Sequence, residues 1–366
     1  MDADKPREIV LAGGGTAGHV EPALAIARAW RTKYADDSLL FLGTSTGLEN
    51  SLVPAAGFTV TNIPKVAMPR SFGIDFIKLP FSLWRAVREA EKVIEGADLL
   101  VGFGGYLSAS AYIAARMARV PIVIHEANAK VGWANRLGSF FTNCLAIAHP
   151  IKSGRFSRAK VTGLPLREDV KAAVRESASN WKGARIQAKR ELGWEQGKPL
   201  ILVLGGSQGS TFINAEISRV LPSLATKGIQ ILHSVGSRNE LPTSSQSYRA
   251  VPYIRDMATA YLAADLIIAR SGAVTCAEVG ALGRRALFIP LPIGNGEQAR
   301  NADFLVQANR ALVVDQKTFS ATWLLEHLDD LLLASARTPL AGLNDDLGAE
   351  DKIMALMERA IDGQCK

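Results

Sequence analysis

Cysteine is scarce in this chain. There are three, Cys144, Cys276 and Cys365, far apart and with no C-x-x-C pair. They offer no metal framework, and their odd number fits a reducing compartment, so the chain reads as cytoplasmic. Histidine is also rare, and His149, His233 and His327 stand singly with no ligand spacing. There is no long apolar run. The longest uncharged span, Leu99 to Ala115, is broken by Gly102, Gly104, Gly105 and two serines, and predicts strand, loop and helix rather than a membrane span. The opening MDADKPRE is charged and leads straight into a strand-like run, so no secretory h-region is expected. If such a chain meets a membrane, it lies on it.

What is present is a basic, apolar-rich sequence. Its 366 residues carry a formal charge of +7 with a pI near 9.3, which favours anionic partners without choosing among them. That length exceeds what one core comfortably fills, so two domains are expected. Apolar runs at Ile9–Leu11, Leu39–Leu42, Leu99–Val101 and Ile122–Ile124 each end in a glycine-bearing loop followed by a helical pattern. The pattern restarts at Leu200–Leu204, Ile229–Val235 and Leu266–Ala269. This recurrence predicts two doubly wound α/β domains of parallel strands, joined near Thr162–Arg167. The polar stretch Arg175–Lys198 is expected to be helical. Asp346–Ile361 has apolar residues at helical spacing and should form a terminal helix capped by Asn344 or Asp345.

The loop AGGGTAGH contains a G-x-G-x-x-G at Gly13, Gly15 and Gly18. Taken alone, such a loop is as readily a tight turn as a phosphate cradle, but four comparable loops in corresponding places favour ligand binding at helix starts. A dinucleotide site also requires an acid at the end of the second strand. Here FLGTSTGLE offers Thr44, Ser45 and Thr46, with no carboxylate before Glu49, which disfavours NAD. His19 begins a helix beside the loop and could act as a general base, or could merely bond a nearby carbonyl. His125, Glu126 and Asn128 end another strand, where burial without partners would be costly, so a site role is expected.

Together GGGTAGHVEPALAIA, GFGGYLSAS, HEANAKVGWANR, LGGSQGS, the run from Tyr253 to Pro292 and EQARNADFL closely resemble the MurG-type glycosyltransferases of peptidoglycan synthesis, from about Ile9 to Leu305 in the same order. The resemblance implies a GT-B fold: two Rossmann-like domains facing across a cleft, an acceptor-binding, membrane-associating one at 1–166 and a UDP-GlcNAc-binding one at 167–345. A helix in 346–366 would pack back on the first. It implies transfer of N-acetylglucosamine from UDP to the C4 hydroxyl of lipid I, giving lipid II with inversion and without a metal or other cofactor. It also implies attachment to the cytoplasmic face of the membrane, partners in cell-wall synthesis and division, and no nucleic acid. Another UDP-sugar enzyme of this fold, a glycolipid transferase or an epimerase, is the alternative, and a nicotinamide-dependent oxidoreductase stands behind both.

The family's roles fall on particular residues. His19 would be the base, with Glu126 second. Ser207, the N–H groups of Gly206 and Gln208, Arg167 and the helix opened at Gly272 would meet the departing UDP. Thr16, Ala17 and Gly18 would approach the donor, Asn128 and Gln298 its sugar, and Ile254 the uracil. Ala273, Val274, Thr275, Cys276, Ala277 and Glu278 would lie along the nucleotide, with Glu278 on the ribose hydroxyls. The alternative for Glu278 is an exposed first-turn helix acid. Gly14, Gly15, Gly104, Gly105 and Tyr106 would form acceptor or pyrophosphate loops. Ala17 and Glu297 depart from the family's usual residues, and alanine fits at 17 only if its φ is negative. Finally, Met68–Lys92 interleaves Phe72, Ile74, Phe76, Ile77, Leu79, Phe81, Leu83 and Trp84 with Arg70, Lys78, Arg85 and Arg88. That mixture suits an anionic membrane surface, or a core-facing helix with solvated cations.

Overall fold

The computed structural model describes residues 5–66, 74–293 and 296–365. They divide into two compact units, Met1–Arg167 with Gly348–Lys366, and Glu168–Leu347.

The first unit runs β1 (Glu8–Ala12), α1 (Ala17–Lys33), β2 (Ser38–Gly43), α2 (Glu49–Ala55), β3 (Thr59–Asn62), α3 (Ile74–Ile94), β4 (Leu99–Gly102), α4 (Tyr106–Ala118), β5 (Ile122–Glu126), α5 (Trp133–Gly138), β6 (Leu145–Ile147) and β7 (Lys160–Val161). The second runs α6 (Glu168–Ser177), α7 (Trp181–Glu191), β8 (Leu200–Leu204), α8 (Thr211–Thr226), β9 (Gln230–Ser234), β10 (Tyr248–Val251), α9 (Met257–Ala263), β11 (Leu266–Ala269), α10 (Ala273–Ala281), β12 (Ala286–Phe288), α11 (Gln298–Asn301), α12 (Asp303–Gln307), β13 (Ala311–Val313) and α13 (Ala321–Arg337). The last helix, α14 (Ala349–Ile361), belongs to the first unit.

Each unit is built on one parallel sheet, ordered β3-β2-β1-β4-β5-β6-β7 in the first and β10-β9-β8-β11-β12-β13 in the second. In both, the first strand of the unit is flanked on one side by the second and on the other by the fourth, as when Val10 sits between Leu40 and Leu100. This is where the winding reverses, and in sheets of this kind ligands bind at the loops beyond the carboxyl ends of those strands. The loops after β1 and β4, and after β8 and β11, are the glycine loops singled out in the sequence. Strands such as IVLA and LILVL are buried on both faces because helices cover both sides of each sheet, which is why they read as continuous apolar runs.

Three expectations change. The stretch Arg175–Lys198 is two helices, since Asn180 accepts the Gly183 N–H at 2.9 Å and starts α7 afresh. The terminal helix is capped neither at Asn344 nor at Asp345: it opens after Gly348, whose φ of 77° suits glycine best. Its Ile353, Met354, Leu356, Met357 and Ala360 join the same buried cluster as Ile9, Leu11 and Trp30. Burial of that kind contributes about 1.5–3 kcal/mol per large side chain. The cysteines also differ from their reading as isolated residues. Cys144, just before β6, is disulfide-bonded to Cys365 beyond α14, with Cα atoms 5.5 Å apart, leaving Cys276 as the free, buried thiol. The return of α14 to the first sheet closes a separation of 221 residues that no local spacing could reveal.

Candidate active site

In the first unit the loops after β1 and β4 are fastened to each other. The hydroxyl of buried Ser108 lies between Ala12 O at 2.9 Å and Gly104 O at 2.7 Å, where its one proton serves either carbonyl. Gly104 and Gly105 take φ values of 92° and 84°, a conformation that side chains resist. The two glycines also lie in contact distance of the imidazole. A methyl group on Gly104 would come 3.5 Å from Cδ2 and Nε2 of His19, and one on Gly105 would come 3.4 Å from Nδ1. The His19 imidazole is therefore laid against the glycine pair, half-buried, at the crevice.

Thr16, exposed at the N-cap of α1, does not use its side chain to cap the helix. Its Oγ1 lies 3.2 Å from His19 Nδ1 instead. If Nδ1 carries the proton and donates to that oxygen, Nε2 keeps its lone pair. Ala17, within the helix, has no positive φ, so the alanine there is accommodated.

Glu49, which the sequence reading passed over, organises this loop from behind. It is fully buried, and its carboxylate accepts the Gly15 N–H at 2.8 Å, the Thr44 N–H at 2.8 Å and the Thr44 hydroxyl at 3.1 Å. A methyl group on Gly14 would meet its Oε1 at 2.9 Å. Two consequences follow. The N–H of Gly15 is committed to a carboxylate and cannot also cradle a pyrophosphate, and Gly14 is buried, so these two do not form the open phosphate loop expected of them. The acid near the second strand serves the backbone and not a ribose. Its signal was the run Gly43, Gly47, Glu49, in which the glycines leave room for a carboxylate.

The trio at the end of β5 also separates. His125 is fully buried, its Nε2 lies 3.0 Å from Gly163 O, and burial pushes its pKa down to about 4. It is a core residue, contrary to the site role expected. Glu126 is 2% exposed, and burial raises its pKa against the pull of its donors. Its Oε1 accepts the N–H and the side-chain amide of Asn128, each at 3.0 Å, and its Oε2 accepts the Gly132 N–H at 2.8 Å and the Asn135 amide at 3.0 Å. A carboxylate has about four lone-pair positions, so these donors fill it. Glu126 holds the loop between β5 and α5 and is poorly placed to take a proton from a substrate.

In the second unit, half-buried Ser207 sits between exposed Gly206 and Gln208 after β8. Ser210 caps α8 by accepting the Ile213 N–H at 3.3 Å and is held by Arg270 Nη2 at 3.0 Å. Arg270, buried at the end of β11, also donates to Ile289 O at 2.9 Å, Pro290 O at 3.0 Å and Gln316 Oε1 at 2.6 Å. It ties the loops after β8, β11 and β12 together, a role whose only sequence signal is its place in RSGAVTCAE.

The helix α10 opens at Gly272 with no side-chain cap and no acid in its first turn. Val274 and Thr275 are half-exposed there, whereas Ala273, Cys276 and Ala277 are buried, so the last three pack and do not present side chains to a ligand. Burial raises the Cys276 thiol pKa. Glu278 is 3% exposed and stands beyond the first turn, which removes the exposed-acid alternative. Ile254 is buried as well. Gln298 accepts the Leu291 N–H on Oε1 at 3.1 Å, and its backbone oxygen accepts the Ser271 hydroxyl at 2.8 Å. Asn128 is half-buried, and Arg167 is half-buried at the end of the first unit.

Residues 9–147 match the glycosyltransferase family 28 N-terminal domain and residues 200–346 match the family 28 C-terminal domain. The chain belongs to that family. It is 42% identical over 372 residues, 98% of each chain, to a UDP-N-acetylglucosamine–N-acetylmuramyl-(pentapeptide) pyrophosphoryl-undecaprenol N-acetylglucosamine transferase from Paenarthrobacter aurescens. A protein of the same name from Frankia casuarinae is 44% identical over 343 residues, covering 90% of this chain and 89% of that one. Among solved structures, MurG from Acinetobacter baumannii superposes with a TM-score of 0.67 at 26% identity, covering 97% of this chain and all of that one. The two Rossmann-like units are those of the GT-B glycosyltransferases. Family 28 membership sets aside the nicotinamide alternative, in accord with the commitment of Glu49 to backbone N–H groups.

Proposed function

We propose that this chain transfers N-acetylglucosamine from UDP-N-acetylglucosamine to the C4 hydroxyl of N-acetylmuramoyl-pentapeptide on an undecaprenyl pyrophosphate carrier, with inversion at the anomeric carbon. Its likeness to transferases of that name over nearly the whole chain supports the reaction. The observation that carries the mechanism is the His19 ring set against Gly104 and Gly105 at the switch point of the first sheet.

Inversion in one step requires a base behind the attacking oxygen and charge stabilisation on the leaving side. His19 Nε2 takes the C4 hydroxyl proton while Nδ1–H is held by Thr16. The freed oxygen forms the new bond to the anomeric carbon as the bond to UDP breaks. The developing phosphate charge falls to the uncapped start of α10, to Ser207 with the N–H groups of Gly206 and Gln208, and to Arg167. Glu278 accepts from the ribose hydroxyls, Ile254 borders the uracil, and Asn128 and Gln298 hold the sugar. No divalent cation is assigned a part. Transfer of labelled N-acetylglucosamine from UDP to a lipid I analogue tests the reading, and a protein that releases UDP without acceptor, or makes no disaccharide, refutes it.

We read the reaction as taking place at the cytoplasmic face of the membrane that carries the acceptor. No described helix is long and apolar enough to cross a bilayer. On α3, Phe81 and Trp84 are 68% and 59% exposed with rings stacked 6.3 Å apart, and Arg85 and Arg88 are exposed beside them. Leu83 turns inward against the core. We assign the outer face to peripheral attachment. Arg70 and Phe72 lie outside the described residues, as do the side chains of Ile74, Phe76, Ile77 and Lys78.

A further inference from the structure

Tyr106 opens α4 and Trp133 opens α5, and their rings lie 5.7 Å apart. Both remain exposed, at 53% and 42%. Aromatic rings bury the largest apolar surface of any side chain, so a pair that gathers and stays in water has forgone that stabilisation. Its position is not incidental. Tyr106 directly follows Gly105, the residue against which the His19 ring lies.

The backbone under Trp133 is held firmly. Gly132, its N-cap, donates to Glu126 Oε2 at 2.8 Å, and Asn135 donates to the same oxygen at 3.0 Å. Asn135 in turn accepts the hydroxyl of fully buried Tyr112 at 2.7 Å. A buried carboxylate with every lone pair used thus fixes the start of a helix whose first side chain is a half-exposed indole. That is the arrangement of a rigid contact surface, since support from behind lowers the ordering cost of binding.

We propose that Tyr106 and Trp133 form a stacking platform for the acceptor's sugar ring, the pyranose whose C4 hydroxyl meets His19, with Glu126 as the positioning residue beneath it. This rests on the acceptor assignment made above. A pyranose presents C–H groups on its faces that pack on aromatic rings, and it is the part of the acceptor that must lie nearest the base. The isoprenoid chain has no such requirement.

Steady-state kinetics with two lipid I analogues of different prenyl length test this. Trp133→Ala is expected to raise KM for both acceptors by the same factor, about tenfold, with KM for UDP-N-acetylglucosamine and kcat little changed. Trp133→Phe should restore most of that loss while abolishing the acceptor-dependent change in tryptophan fluorescence. An unchanged acceptor KM in Trp133→Ala, or a KM rise that depends on prenyl length, overturns the sugar platform alone. Failure of the wild-type protein to glycosylate either acceptor overturns the parent reading as well. A matching rise in both substrates' KM would reduce Trp133 to general support and also contradict the proposal.

Discussion

The two units share the order of their central strands and differ in the loops that lead from those strands into the helices. In the first, the loop N–H of Gly15 is already satisfied by buried Glu49, and the residue delivered to the crevice is a histidine. In the second, α10 begins at Gly272 with neither a side-chain cap nor an acid in its first turn, which leaves a positive helix end for an anion. Helix α1 opens in the same way, with neither a side-chain cap nor a first-turn acid, so the difference lies in the loop before it, where the Gly15 N–H is bonded to Glu49 and His19 follows. Loop residues, not topology, therefore distinguish the two units, and fold alone does not tell which half does which.

That contrast is open to test. The largest effect should come from His19→Ala, which is expected to lower kcat by about 10²- to 10⁴-fold, the usual contribution of a general base. Initial rates at saturating substrates measure it, and wild-type turnover would remove His19 from the role. Next, Glu278→Ala should weaken UDP about tenfold through loss of charge-assisted hydrogen bonds. Calorimetric titration reads this directly, with a melting curve to confirm that a variant at so buried a site is folded. Unchanged affinity would detach Glu278 from the ribose. The smallest effect concerns the membrane: Phe81→Ser with Trp84→Ser should weaken binding to anionic vesicles severalfold, on the scale of apolar area lost, and wild-type binding should fall as salt rises. Equal binding by wild type and double variant would free α3 from that role.

Much of the architecture was legible because it rests on continuous apolar runs. LILVL and LIIA become β8 and β11, and each is followed by the glycine loop that marks the switch point. Short strands escaped. β6, β12 and β13 have three residues each, too few to show a period, and exist because a neighbouring strand supplies their ladder. Of the candidate site, the sequence marks half-buried His19 and the glycine loops beside it, which the structure brings together. The site was misread where burial decides function. His125 and Glu126 looked alike as polar groups at a strand end, yet one is a neutral core imidazole and the other a saturated carboxylate. Glu49 and Trp133 were missed for a related reason: one acts on backbone far from it in sequence, and the other matters through a ring contact between two helix starts.

The most direct test of the division between the units is the affinity of UDP for His19→Ala, measured by calorimetric titration beside the wild-type protein. Base and nucleotide site on separate units predict a dissociation constant within about twofold of wild type while turnover collapses. Loss of UDP affinity in step with the loss of turnover would contradict that division and place His19 in the donor site.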